Sequence, residues 1–217
     1  MCGRFTLRTP MTVLARQFQI DLGTDQQLPL RFNIAPTQDI PVVRYTDAGR
    51  ELKLMRWGFI PSWSKGPTSG PLLINARSET AAEKPAFRSA FKTRRCLIPA
   101  DGFYEWKKAG SKKQPYYFRL ADGQPFAFAG LWEKWQAIES CTILTTEANE
   151  LAAQMHDRMP VILSPNDYAE WLDPLAKDAG KLLTPIPASE MSAIPVNPIV
   201  NNARNEGPEC IEPVVAT

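Results

Sequence analysis

At 217 residues, with 44% hydrophobic and 22% charged side chains, the chain is long enough to bury a full core and falls within the range of one globular domain. No run of eighteen apolar residues occurs, and MCGRFTLRTP has no apolar leader core, so neither membrane insertion nor export is signalled. Net charge is +2, yet residues 1–120 hold 20 Lys/Arg against 9 Asp/Glu and residues 121–217 hold 5 against 14, an asymmetry that suggests a basic face for a polyanion, although a solvated surface also produces it.

The chain begins MCGRF. Removal of Met1 ahead of the small second residue is expected to leave Cys2 with an α-amine and a thiol on adjacent carbons. CGRF runs into β-compatible sequence without a polar tail. Thr9 and Pro10 read as the N-cap and first residue of a short helix near 10–19, with Val13, Leu14 and Phe18 as its apolar stripe. From Pro41 onward short β-type runs dominate: PVVRY, ELKLMRWGF, RCLIPA, GFYEWKK, QPYYFRL, PFAFAGLW, SCTILTT and MPVIL, punctuated by DAG, KAGSKK and ADG turns. SKGPTSG (64–70) is the clearest exposed loop. SETAAEKPAFRSAFKT reads as one or two short helices, and SPNDYAEWLD starts a helix with Ser164 as N-cap and Pro165 in the first turn. The pattern predicts an α+β fold with a curled, mainly antiparallel, barrel-like sheet flanked by short helices, as one domain over 1–217.

The four cysteines (Cys2, Cys96, Cys141, Cys210) are widely spaced and accompanied by a single histidine, which argues against a disulfide framework and a structural zinc. They are expected as reduced thiols, three of them buried. No metal or cofactor is expected. His156 is the only imidazole; a lone histidine is more often structural than catalytic, and its polar neighbours Asp157 and Arg158 shift it toward a site. Glu105, between Tyr104 and Trp106 on a strand, either faces a partly desolvated pocket or pairs with Lys107. Asn75 ends the apolar run of PLLINARSET beside Arg77 and Glu79, as a turn residue or a site residue. Trp63 in IPSWSK stands beside the exposed loop, either awaiting a partner or folded back on the core.

The joint pattern is more specific than any one residue. MCGRF, RFNIAPTQ (31–38), MRWGFIPSW (55–63), INARSET (74–80), RRCLIPADGFYEWKK (94–108), QPYYF (114–118), ILTTEAN (143–149) and MHDRMPVIL (155–163) occur in the order of the SOS response-associated peptidase (SRAP) family, which the chain resembles along nearly its whole length. The resemblance implies a sensor and shield of abasic sites in single-stranded DNA. In that chemistry the Cys2 α-amine attacks the aldehyde of the ring-opened sugar, and the thiol closes on the imine to give a thiazolidine. Only a terminal cysteine has both groups free, and an α-amine with a pKa of about 7.7 to 8.0 is partly neutral near pH 7.

The same resemblance makes Glu105 the catalytic carboxylate and His156 the acid/base in sugar ring opening. It places Asn75 against the terminal amine or the ring product and Thr145 in the same pocket. Asn33, Pro36 and Trp63 resemble the lesion-flanking surface, with one tryptophan where some members carry two adjacent aromatics. Arg4, Arg77 and Arg158 adjoin these motifs and are candidate phosphate contacts. The expected partner is single-stranded DNA with abasic sites, with single-strand to duplex junctions as one candidate context, engaged by a cytoplasmic or nucleoid-associated monomer. The rival readings are a thiol peptidase built on Cys2, His156 and Asn75, a non-covalent reader of single-stranded or modified DNA, and an N-terminal nucleophile hydrolase, for which no αββα pattern appears.

Overall fold

A computed structural model describes residues 2–21, 28–110 and 112–215 of the chain. Met1 and Ser111 of the KAGSKK turn lie outside the described residues. The first half comprises β1 (Phe5–Leu7), α1 (Met11–Phe18), β2 (Arg31–Ile34), β3 (Asp39–Thr46), β4 (Gly49–Trp57), β5 (Asn75–Arg77), α2 (Ser78–Ala81) and α3 (Arg88–Thr93). The second comprises β6 (Arg95–Ala100), β7 (Gly102–Ala109), β8 (Lys112–Leu120), β9 (Phe126–Trp135), β10 (Ile138–Glu147), β11 (Arg158–Pro160), β12 (Ile162–Leu163), α4 (Tyr168–Leu172) and β13 (Met191–Pro195).

The strands form two sheets. The smaller has the order β13-β8-β7-β1-β2, and the larger β11-β10-β4-β3-β6-β9-β12. A further pairing of β9 with β10 closes β10, β4, β3, β6 and β9 into a ring, so the core is a curled, barrel-like sheet. Pairing is antiparallel except where β10 meets β4 and β5. This is the α+β architecture expected from the run of short strands. The central strands carry continuous apolar sequence because they are covered on both faces: every residue of β6 is buried, as are Phe126 to Leu131 of β9.

β1 carries Cys2 into the interior. It pairs with β2 on one side and β7 on the other, Phe5 opposite Ile34 and Phe103. Phe5 is fully buried and meets Trp57 and Phe128 edge-on at 5.2 and 5.8 Å. Burial of such a ring contributes about 1.5 to 3 kcal/mol, enough to fix this short strand. Gly102, opposite Thr6, permits the approach, since a Cβ there would fall 2.4 Å from the Phe118 carbonyl oxygen.

Several local expectations change. The helix near 10–19 is present as α1, but Pro10 is its N-cap and Thr9 is not. The Thr9 hydroxyl instead donates to Asp101, which also accepts the backbone amides of Arg8 and Thr9, so the side chain read as a cap is engaged ahead of the helix. All four cysteines are free and buried, Cys2 included, where three buried thiols were expected. SETAAEKPAFRSAFKT forms two helices, α2 and α3, and Ser164 accepts the Asn166 amide as the cap of the turn before α4. No helix among the described residues is long and apolar enough to cross a membrane.

Candidate active site

Cys2 leaves β1 beside β7, because the Tyr104 amide donates to the Arg4 carbonyl at 3.0 Å and prolongs the pairing. The cysteine is 0% exposed, and its Sγ sits 3.7 Å from the Arg4 carbonyl oxygen. Burial first, and then the charge of Glu105, push the Cys2 thiol well above the usual cysteine range. Sulfur is therefore held as a neutral thiol, and the buried carboxylate of Glu105 is close enough for its field to be felt there. Asn75 approaches from the larger sheet. β5 lies parallel to β10 with Asn75 opposite Ile143, and the Asn75 Nδ2 donates to the Cys2 carbonyl at 2.9 Å. Its Oδ1 is buried without a hydrogen-bond partner among the described residues.

Glu105 and His156 share a cleft of about 460 Å³ with Trp106, Lys113 and Asn201. His156 follows a single helical turn, Ala152–Gln154, whose first amide is capped by the Asn149 Oδ1 at 2.9 Å. The Arg158 amide donates to the His156 Nδ1 at 3.0 Å. Nδ1 thus acts as an acceptor, which leaves the proton of the neutral ring on Nε2. The Asp157 carboxylate, 2.7 Å from the same Nδ1, offers an acceptor to the protonated ring.

The residues expected to meet DNA divide by exposure. Arg4 is half-buried, with one guanidinium nitrogen donating at 3.0 Å to both the Asn33 Oδ1 and the Val200 carbonyl. Asn33, placed by the sequence on a lesion-flanking surface, is fully buried, and its amide donates to the carbonyls of Val200, Asn202 and Asn205. Arg158 makes a two-pronged contact with Glu79 at 2.6 and 2.9 Å and also donates to the Thr145 carbonyl. Thr145 is buried, with its hydroxyl 3.4 Å from the Ala76 carbonyl. Arg77 is exposed, Pro36 half-buried, and Trp63 is 68% exposed beside the 64–70 loop.

Sequence reasoning missed the far wall of the cleft. Trp106 donates from Nε1 to the Asn201 Oδ1 at 2.7 Å, fixing the turn Pro198–Asn201 against β7. Glu206 secures the same segment, its carboxylate accepting the Phe32 and Asn33 amides at 2.7 and 2.8 Å and the Arg31 guanidinium at 3.1 Å. Asn197 followed by Pro198 is a helix-start signal that marks this turn, but nothing local says where it docks.

A closed ring of strands, flanked by a second sheet that delivers a buried cysteine beside an asparagine and a glutamate, is the architecture of one class of protein. The chain belongs to the SOS response associated peptidase (SRAP) family, whose model matches residues 1–203. It is 44% identical over 223 aligned residues to the abasic site processing protein YoqW of Bacillus subtilis (strain 168), covering 98% of this chain and 99% of that one. It is 35% identical to the abasic site processing protein YedK of Escherichia coli (strain K12), with 99% and 100% covered. A crystal structure of a protein from Bacteroides thetaiotaomicron superposes with a TM-score of 0.87 at 25% identity, covering 99% of this chain and 100% of that one.

Proposed function

We propose that this protein processes abasic sites in single-stranded DNA by capping them covalently through Cys2 after loss of Met1. The observation that carries the reading is the meeting of Asn75 and Glu105 on Cys2, beside a cleft that also holds His156. In the first step His156 moves a proton at the sugar ring oxygen, which opens the hemiacetal and frees the C1′ aldehyde. The neutral Cys2 amine adds to that carbon. Glu105 takes the proton shed by nitrogen and returns it to the carbinolamine hydroxyl, which departs as water and leaves an imine. The thiol then adds across the C=N bond: sulfur bonds to carbon, its proton passes to nitrogen, and a thiazolidine results. Net loss is one water. Asn75 holds the Cys2 backbone and offers Oδ1 to the amine.

Electrostatics support this order of steps. The thiol is pushed up, so sulfur is poorly ionised near neutral pH and the amine is the better first nucleophile. A thiol peptidase has less support, because Asn75 is bonded to the Cys2 backbone, not to an imidazole. Incubation of purified protein with a single-stranded oligonucleotide bearing one abasic site tests the reading. The expected product survives heat and denaturing electrophoresis and weighs the sum of both components minus Met1 and one water. A non-covalent reader gives no such species, and a peptidase would cleave peptides instead.

A further inference from the structure

Of the three arginines singled out by the sequence, Arg4 is committed internally to Asn33 and Val200 and Arg158 to Glu79 and Thr145, whereas Arg77, on β5 of the larger sheet, is exposed. In the smaller sheet the β7–β8 hairpin carries lysines at positions 107, 108, 112 and 113. Lys107, Lys108 and Lys113 are exposed and make no ion pair among the described residues. Lys108 lies directly opposite Lys113 in the antiparallel register, and Lys113 lines the same cleft as Glu105 and His156. Like charges at directly opposed positions destabilise a hairpin. An anion placed between them reverses that sign. Alternation along β7 also puts Lys108 on the face of Trp106, so an indole and two ammonium groups share one face of the hairpin, of which Trp106 and Lys113 line the cleft.

We propose that this hairpin is a phosphate clamp, in which Lys108 and Lys113 grip the backbone of a DNA strand at the cleft. The proposal rests on the reading that the cleft receives single-stranded DNA. Ammonium groups, as compact charges without the guanidinium's planar geometry, hold a backbone without reading bases. A strand held by the hairpin would pass its sugar across Glu105 and His156. The clamp would act on phosphates to one side of the lesion only.

The test is fluorescence anisotropy of an undamaged, labelled single-stranded oligonucleotide over a salt series, comparing wild type with Lys108→Ala/Lys113→Ala and Lys108→Arg/Lys113→Arg. With about 0.7 counterion released per phosphate contact on a single strand, the alanine pair is expected to flatten the slope of log K against log salt by about 1.4, and the arginine pair to restore it. An unchanged slope in the alanine pair overturns the clamp. So does a slope lost equally in the arginine pair, which would mean a folding defect. Oligonucleotides with one tetrahydrofuran abasic analogue, which has no aldehyde to trap, shortened on either side of it should lose sensitivity to the alanine pair from one side only, and equal loss from both overturns the one-sided placement. Adduct formation by the wild-type protein on an abasic oligonucleotide separates the two ideas. A flattened slope without any wild-type adduct leaves the clamp standing and removes the capping reading, whereas a wild-type adduct with an unchanged slope does the reverse.

Discussion

Asn75 and Cys2 are joined across the two sheets: the side-chain amide on β5 donates to the cysteine carbonyl at 2.9 Å, 73 residues apart in sequence. Asn75→Ala removes that tie. A single hydrogen bond of this kind contributes about 0.5 to 1.5 kcal/mol net, so a small fall in melting temperature is expected. Adduct formation should suffer more, by up to about 100-fold, because displacement of a nucleophile by about 1 Å can cost that much. Parallel melting curves and gel time courses check the pair. Equal loss in both would make Asn75 a structural residue.

Cys2→Ser keeps the amine and replaces sulfur with a hydroxyl, whose ring closure on an imine gives a less durable product. The variant should still form a Schiff base that borohydride traps, without the heat-stable adduct. A residue retained ahead of Cys2 should abolish both species. A heat-stable adduct at the wild-type rate from that blocked protein would assign the chemistry elsewhere.

Glu105→Gln leaves both nucleophiles in place and removes the proton carrier. The expected slowing is about 10²- to 10⁴-fold, the usual contribution of a general acid/base. His156→Ala should slow reaction with the closed sugar and spare a ring-opened aldehyde analogue. Equal slowing on both substrates would place the imidazole later in the sequence.

Arginines near the cleft should behave differently from one another. Arg77→Ala is expected to reduce the salt slope of single-strand binding by about 0.7, as for one lost phosphate contact. Arg158→Ala should act on the fold, since it removes the donor to the carbonyl of buried Thr145 and the two-pronged contact with Glu79. The Glu79 carboxyl is held below its usual range by the hydrogen bond from Arg158. Its lowered value means the pair contributes stability above the unfolded carboxylate range and loses it as pH falls through the folded value. In acid denaturation the stability gap between wild type and Arg158→Ala should therefore narrow as pH falls below the ordinary carboxylate range.

Alkaline pH acts through the buried thiols. Burial, and then the charge of Asp39, raise the Cys141 thiol well above its ordinary value. The folded state keeps a proton that the unfolded chain gives up, so this contribution is complete below about pH 8.5 and declines as pH rises beyond it. Urea midpoints should fall between about pH 8 and 10 in wild type and fall less steeply in Cys141→Ala. Parallel curves would remove this account.

Most of the barrel was legible because its strands announce themselves: RCLIPA, PFAFAGLW and SCTILTT are apolar runs bounded by turn residues, and each is a strand. The short strands escaped, since Arg31–Ile34 and Met191–Pro195 carry little pattern and are held by neighbours distant in sequence. Thr9 misled for a physical reason, because Asp101, remote in sequence, takes up the hydroxyl that the local pattern assigned to the helix start. The candidate chemical groups were nameable from the sequence, but their state was not. Nothing in MCGRF says that Cys2 is buried, and nothing in RFNIAP says that Asn33 turns inward to hold the 200–205 segment. Such facts depend on contacts with high sequence separation, which local pattern does not encode.

Arg4 reaches the Val200 carbonyl across 196 positions of sequence, and Asn201 beside it completes the wall of the cleft. On a ribosome the residues around Cys2 emerge well before Asn201, so the two cannot meet until the whole segment between them has been made. Contacts of such long range also slow folding. A chain that stops short of Asn201 therefore carries Cys2 without this wall of the cleft.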